Sequence, residues 1–258
     1  MPRHSIVFLM YHELELTGRR LCQAEPGYAR YVLPESDFRA QVDYLKSNGW
    51  QGLSVGQAIR FPEASSVAIT FDDGCETDLL AAAPILERAG LNATFFVTAG
   101  RIGSHGFLSV PQLRELNRRG FEIGCHSMTH AYLSDLDEQG QYREIAEAKT
   151  QLEQMIGRSV DHFSCPGGRF DVRALRVARD AGFQTVSTSR IQGNSQDTNL
   201  FGLGRVAMLR GVPLKTFAKI CDGSVLPRLR AQSTLREAAK QVLGNKFYDR
   251  VRATLLRQ

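Results

Sequence analysis

Four short stretches of the 258-residue chain concentrate the side chains capable of chemistry, and each directly follows an apolar run. The first is TFDDG at 70–74, where an apolar segment runs into two adjacent carboxylates, Asp72 and Asp73, and a glycine. Strand C-terminal ends are where α/β proteins assemble active sites. Neighbouring strand residues point to opposite faces, so both acids reach one centre only if the chain bends there, which Gly74 permits. The second stretch is HSMTH at 126–130. Histidines four apart share a face if the segment turns helically, and two imidazoles with one carboxylate leave open positions on a divalent cation, as catalytic metals require. The third, FSCPGG at 163–168, is a turn whose backbone N–H groups could face an oxyanion; a plain turn explains it equally well. The fourth is His12 in LMYHE, where a structural histidine is the simpler reading of a lone residue. Each stretch taken singly is common in turns, and the coincidence of the first two at strand ends is what points to a metal-assisted reaction.

The elements that must position these groups follow from periodicity. Apolar runs at 5–10, 67–71, 93–98, 121–125, 162–165, 184–187 and 203–208 are predicted as strands. Amphipathic segments at 36–48, 76–89, 110–119, 138–156 and 170–181 are predicted as helices, each closed by a glycine. Strand and helix in regular alternation imply a largely parallel sheet covered by helices, and the number of strands favours a barrel. Parallel strands would bring all four stretches to one rim. Residues 188–199 read as a surface loop. From 214 the alternation ends, so residues 1–213 are expected to form the barrel domain. Residues 214–258 are expected to form a basic extension: SVLPRLRAQ, then a long helix over 235–256 interrupted at Gly244.

Composition narrows the classes. With 43% hydrophobic and 23% charged residues the chain is an ordinary globular protein, not a disordered, collagenous or coiled-coil one. No run of 18 apolar residues suggests a transmembrane helix, and the apolar run at 6–10 is too short for a signal-peptide core, so a cytoplasmic location is expected. Five scattered cysteines without a CxxC pair read as reduced thiols. Cys75, Cys125 and Cys165 adjoin the motifs, but packing explains them better than metal ligation. Residues 215–258 hold ten Lys/Arg against three Asp/Glu, a net +7, which leaves −2 of the chain's +5 for the rest. A near-neutral body excludes nucleic acid lying across it.

On these residues the chain resembles the polysaccharide deacetylases of the NodB-homology group, carbohydrate esterase family four. TFDDG at 70–74 matches the group's first motif, HSxxH at 126–130 its second, and 164–168 its third loosely. The resemblance spans roughly residues 4–210 and implies an irregular (β/α)7-type barrel, here with a C-terminal helical extension. It implies that Asp73, His126 and His130 hold a divalent metal, zinc foremost, with cobalt, nickel or manganese as alternatives. It also implies that Asp72 is the general base and that the backbone N–H of Gly167 contacts the oxyanion. The late LxIxxH histidine of many members is absent. The subgroup resembling poly-N-acetylglucosamine deacetylases begins instead with a YH strand, which makes His12 the candidate acid. The third motif usually opens with an arginine that holds the base; this chain has Ser164, and Arg205 is the candidate substitute. Gly167 stands where that motif usually has an aromatic residue, which alters the sugar-facing wall.

The expected activity is metal-dependent de-N-acetylation of an amino sugar in a glycan or in a lipid-linked or nucleotide-linked precursor. Two other readings stay open: a metal amidohydrolase removing formyl or opening a small ring, and a non-catalytic glycan-binding barrel. In the tail helix Leu235, Ala239, Val242, Phe247, Val251 and Leu255 fall near one stripe with basic residues around it. Such a helix suits peripheral contact with an anionic membrane, its own barrel's flank or a partner subunit, and the oligomeric state stays open.

Overall fold

The computed structural model describes residues 5–23, 25, 27–60 and 65–243. Its strands are β1 (Ile6–Tyr11), β2 (Leu14–Glu15), β3 (Leu33–Pro34), β4 (Gln51–Leu53), β5 (Ser66–Phe71), β6 (Thr94–Val97), β7 (Glu122–Cys125), β8 (His162–Ser164), β9 (Thr185–Ser187), β10 (Gly193–Asn194) and β11 (Val206–Ala207). Its α-helices are α1 (Glu35–Ser47), α2 (Val55–Arg60), α3 (Ala83–Ala89), α4 (Val110–Arg118), α5 (Glu138–Tyr142), α6 (Ala148–Ile156), α7 (Val172–Asp180), α8 (Leu214–Cys221) and α9 (Leu226–Leu243).

The fold is mixed α/β with a curled, mainly parallel sheet. Strands β1, β5, β6, β7, β8 and β9 follow one another in parallel register. Leu203 bridges to Ser187 on β9 while Val206 and Ala207 pair with β1, so the stretch from Leu203 to Ala207 spans the two edges of the curl. Strand residues are buried on both faces, as a curled sheet wrapped in helices requires. One set, including Val7, Leu9, Ile69, Phe71, Phe95 and Val97, packs outward against the helices. The other, Ile6, Phe8, Ala68 and Phe96, fills the interior together with Val55 and Ala58 of α2. Gly124 makes room for this interior layer, since a Cβ there would lie 2.3 Å from the Phe96 ring.

One end of the curl is stopped by α2. The Glu122 carboxylate accepts hydrogen bonds from the Gly56 N–H and the Ser54 hydroxyl, and Thr94 Oγ1 accepts one from the Val55 N–H. These contacts satisfy donors at the start of α2 that a helix leaves free. The opposite rim stays open.

Several expectations change. Strand β4 and helix α2 were not foreseen, because Gln51–Leu53 is a three-residue strand and α2 has six residues, both too short to show a period. Residues 188–199 are not purely a surface loop: β10 lies antiparallel to β1, and buried Asn194 exchanges two hydrogen bonds with the Gly204 backbone. The run at 203–208 is mostly irregular. The helices expected over 76–89 and 138–156 each contain a π-turn, Asp78–Ala82 and Arg143–Glu147. The final helix starts at Leu226, earlier than expected, because Pro227 sits in its first turn, where the missing N–H costs nothing.

Residues beyond 213 are not detached. Phe217, Ile220, Cys221 and Leu226 belong to the main core, and Arg230 donates to the Ile191 carbonyl. Of the tail stripe, residues 244–258 and the side chains from 235 onward lie outside the described residues. No helix among the described residues is long and apolar enough to cross a membrane.

Candidate active site

The two acids meet one centre because the chain turns sharply where β5 ends. Asp73 itself has φ 83° and Gly74 has φ 78°, two successive left-handed residues. The first is costly for a residue with a Cβ and is held by its surroundings: the Asp73 carbonyl accepts from Thr98 N–H and the Gly74 carbonyl from Leu108 N–H. A side chain at 74 would press on Val97 Cγ1 at 2.8 Å, so glycine is required there for space as well as for φ.

The HSMTH segment does not turn helically, the condition under which its spacing would put both rings on one helix face. Ser127 (φ 67°) and His130 (φ 68°) are left-handed, and the Ser127 hydroxyl accepts the His130 N–H at 2.9 Å. The histidines converge through this tight loop, with ring centroids 5.0 Å apart. Glu144, inside a π-turn, clamps the loop by accepting from the N–H groups of Met128 (3.1 Å) and Thr129 (2.8 Å) and from the Thr129 hydroxyl (2.6 Å). Such turns often mark functional sites in helices. No sequence signal identified Glu144, because its partner loop is brought to it only by the fold.

Asp73, His126 and His130 present one ligand atom each within 4.8 Å of one another. Asp73 Oδ1 lies 3.7 Å from His126 Nε2 and 3.3 Å from His130 Nε2, and it is buried without a hydrogen-bond partner among the described residues. His126 directs Nδ1 to the Ser164 carbonyl at 2.9 Å, which leaves Nε2 for a cation. Burial first, then neighbouring His130 against the opposing pull of Asp72 and Asp73, brings the His126 pKa down to about 4, so the ring is neutral and ready to ligate at neutral pH. An orphaned carboxylate oxygen facing two imidazoles fits a divalent metal.

Asp72 lies beside this set, Oδ2 3.8 Å from His126 Nε2, and Arg205 grips it bidentately: Nη1 to Oδ1 at 2.7 Å and Nη2 to Oδ2 at 2.8 Å. Arg205 also donates to the Ser164 and Thr70 hydroxyls and the Thr188 carbonyl, and it is 1% exposed. Burial alone would raise the Asp72 pKa; the charges of Arg205 and then His126 outweigh it and hold the carboxyl well below the usual carboxylate range. Ser164, which stands where an arginine was expected, thus orients the arginine that reaches Asp72 from elsewhere.

The remaining sequence-selected residues line the same cavity, of about 980 Å³: His12, Gly167 and Arg205 share it with Asp73, His126 and His130. His12 stacks obliquely on Tyr31, with centroids 4.9 Å apart, and its buried Nδ1 has no hydrogen-bond partner among the described residues. Burial lowers its pKa, against the opposing influence of Asp73 and Asp72. Gly167 has φ 58°, and a Cβ there would come within 2.6 Å of the Tyr132 ring. The aromatic surface absent from position 167 is therefore supplied at that place by Tyr132, 43% exposed and covered on one side by the Arg169 guanidinium at 4.4 Å. Gln23, also unforeseen, donates from Nε2 to Asp73 Oδ2 at 2.8 Å. Of the motif-flanking cysteines, Cys125 and Cys165 pack into the core as expected, whereas Cys75 faces Cys22.

Comparison with known proteins agrees with this geometry. The family model described as Polysaccharide deacetylase matches residues 60–186. YxkH of Bacillus subtilis (strain 168), named for the polysaccharide deacetylases, is 30% identical over 219 residues, which cover 83% of this chain and 75% of that protein. The poly-beta-1,6-N-acetyl-D-glucosamine N-deacetylase of Staphylococcus aureus (strain MRSA252) is 26% identical over 190 residues, 65% of each chain. The structure of the Streptococcus pyogenes deacetylase PplD in complex with acetate superposes with a TM-score of 0.76 at 23% identity, covering 85% of this chain and 99% of that one, a likeness of fold. Sequence kinship along most of the chain, the shared fold and the two motifs meeting at one rim lead to one conclusion: the chain belongs to the polysaccharide deacetylase family, hydrolases of carbohydrate esterase family four.

Proposed function

We propose that the protein is a metal-dependent de-N-acetylase that hydrolyses the acetamide of an amino sugar in a glycan or glycan precursor. The observation that carries this reading is the convergence of Asp73, His126 and His130 around an orphaned carboxylate oxygen, directly beside an Asp72 kept ionised by Arg205. A divalent cation of the zinc class held by those three residues would supply Lewis acidity toward water and the amide carbonyl. Asp72 accepts the proton of the attacking water; its bidentate grip fixes both oxygens, so the accepting lone pair is oriented before substrate arrives. The Gly167 N–H donates to the developing oxyanion, and His12 delivers a proton to the departing amine. Tyr132 and Tyr31 on the cavity wall offer flat faces to a sugar ring. A relative in Staphylococcus aureus is named for an N-acetylglucosamine polymer, which supports an N-acetylhexosamine substrate here.

The test is acetate release, with metal content measured on the same untagged preparation, from a panel of N-acetylhexosamine oligomers, nucleotide-linked sugars and lipid-linked sugars. Acetate from one class, lost with chelator and restored by zinc, establishes the reading and the substrate class. Bound metal with no acetate from any class would instead favour a deformylase or ring-opening amidohydrolase.

A further inference from the structure

Behind the catalytic carboxylates lies a second cluster that the proposed reaction does not use. Cys75 follows Asp72-Asp73-Gly74 and is fully buried, and its Sγ lies 2.8 Å from that of half-buried Cys22. Both sulfurs are close to the Tyr28 hydroxyl, at 3.2 Å from Cys22 and 3.5 Å from Cys75. Glu13, 3% exposed, is turned toward Cys22, whose N–H donates to both carboxylate oxygens at 3.0 and 3.1 Å. Ligand atoms of Glu13, Cys22 and Cys75 all lie within 4.8 Å of one another.

A separate observation concerns Asp78, in the π-turn after Cys75. It is 1% exposed, and neither of its carboxylate oxygens has a hydrogen-bond partner among the described residues. Its strongest electrostatic neighbour is Cys22, followed by Asp73 and Glu13. A buried, unpartnered carboxyl is costly to leave unsatisfied, so its place near two thiols and a second carboxyl asks for a partner.

We propose that Glu13, Cys22 and Cys75, with Asp78 beside them, form a second metal site for a thiolate-seeking divalent cation of the zinc class, distinct from the Asp73–His126–His130 centre. Two sulfurs and a carboxylate suit zinc rather than magnesium or calcium. Binding displaces the two thiol protons and leaves every oxidation state unchanged. In a tetrahedral zinc site with bonds of about 2.3 Å the sulfurs sit about 3.7 Å apart, so the pair opens by roughly 1 Å on binding. A disulfide would use the sulfurs but leave both Asp78 oxygens without a partner, and this favours the cation. An occupied site would tie the Cys22–Gln23 segment in place, and with it the Gln23 hydrogen bond to Asp73, linking a structural ion to the catalytic carboxylate. This site does not depend on the proposed acetate-releasing activity.

The experiment is titration of the full metal-free chain with cadmium, following stoichiometry by elemental analysis and thiolate-to-cadmium charge-transfer absorption in the ultraviolet. The wild type should bind about two ions per chain and develop the thiolate band. Cys22→Ser, at a half-buried position, should lose the band and one ion, whereas His126→Ala should lose the other ion and keep the band. One ion in the wild type without a thiolate band overturns the site. So does a count of three rather than five reactive thiols in denatured, unreduced protein, which would mean that the pair is a disulfide.

Discussion

Arg205 and Asp72, 133 residues apart in sequence, form a bidentate ion pair whose arginine is almost wholly buried. Breaking such a pair from one side leaves a charge unpaired in a poorly solvated place, at a cost of about 3–5 kcal/mol. Arg205→Ala is therefore expected to lower unfolding free energy by about that amount in urea titrations. Arg205→Lys keeps the charge but cannot make two parallel hydrogen bonds, so it should retain more stability while turnover falls. Stability and turnover equal to wild type in Arg205→Lys would refute the positioning role.

The same pair fixes a pH dependence. The folded-state pKa of Asp72 is depressed, because Arg205 and His126 outweigh the opposing effect of burial. Its stabilising contribution is thus complete above the unfolded carboxylate value of about 3.9 and is lost as pH falls through the lower folded value. Urea midpoints measured downward from pH 5 should decline below about pH 4. In Asp72→Asn that part of the decline should be missing.

Asp72 and Asp73 are adjacent yet have different partners, which separates their expected phenotypes. Asp72→Asn should retain metal, since Asp73, His126 and His130 are untouched, and lose turnover by about 10²–10⁴-fold. Asp73→Asn should lose the metal of this centre. Elemental analysis of both variants, alongside acetate release, checks the division; metal loss in Asp72→Asn or retention in Asp73→Asn would reverse it.

His12 is expected to matter in proportion to how poor the leaving group is. His12→Ala should lower amide hydrolysis by about 10²–10⁴-fold but affect an activated aryl acetate much less, because that leaving group needs no proton. Equal losses on both substrates would make His12 a structural residue.

Among the described residues, the hydrogen bonds of Glu144 to the His126–His130 loop go to Met128 and Thr129. Glu144→Ala should weaken metal affinity by about 10–100-fold, the usual effect of losing a group that orients ligands. Competition with a chelator of known affinity measures this directly, and an unchanged affinity would show that Ser127 alone is enough to shape the loop.

The convergence of the candidate site residues was legible in the sequence because their motifs are local. Asp72, Asp73, His126 and His130 sit at the ends of apolar strands, and parallel strand order alone brings such ends to one rim. The strand and helix alternation was readable for the same reason, since two-sided burial writes itself as apolar runs. What tertiary structure decided was everything set by a partner distant in sequence. The spacing of the two histidines would join them on a helix, whereas left-handed Ser127 and His130, held by Glu144, join them through a loop. Position 167 read as a missing aromatic, but Tyr132 fills that space from another loop. Cys22 read as a scattered thiol and Cys75 as a packing residue, yet the fold brings their sulfurs together. Short elements such as α2 and β4 carry no readable period, because three to six residues complete too few turns or alternations to stand out. Residue type and local pattern announce which groups a chain has available. Only the fold determines which distant neighbour shares a buried space, because that pairing depends on packing across the whole core.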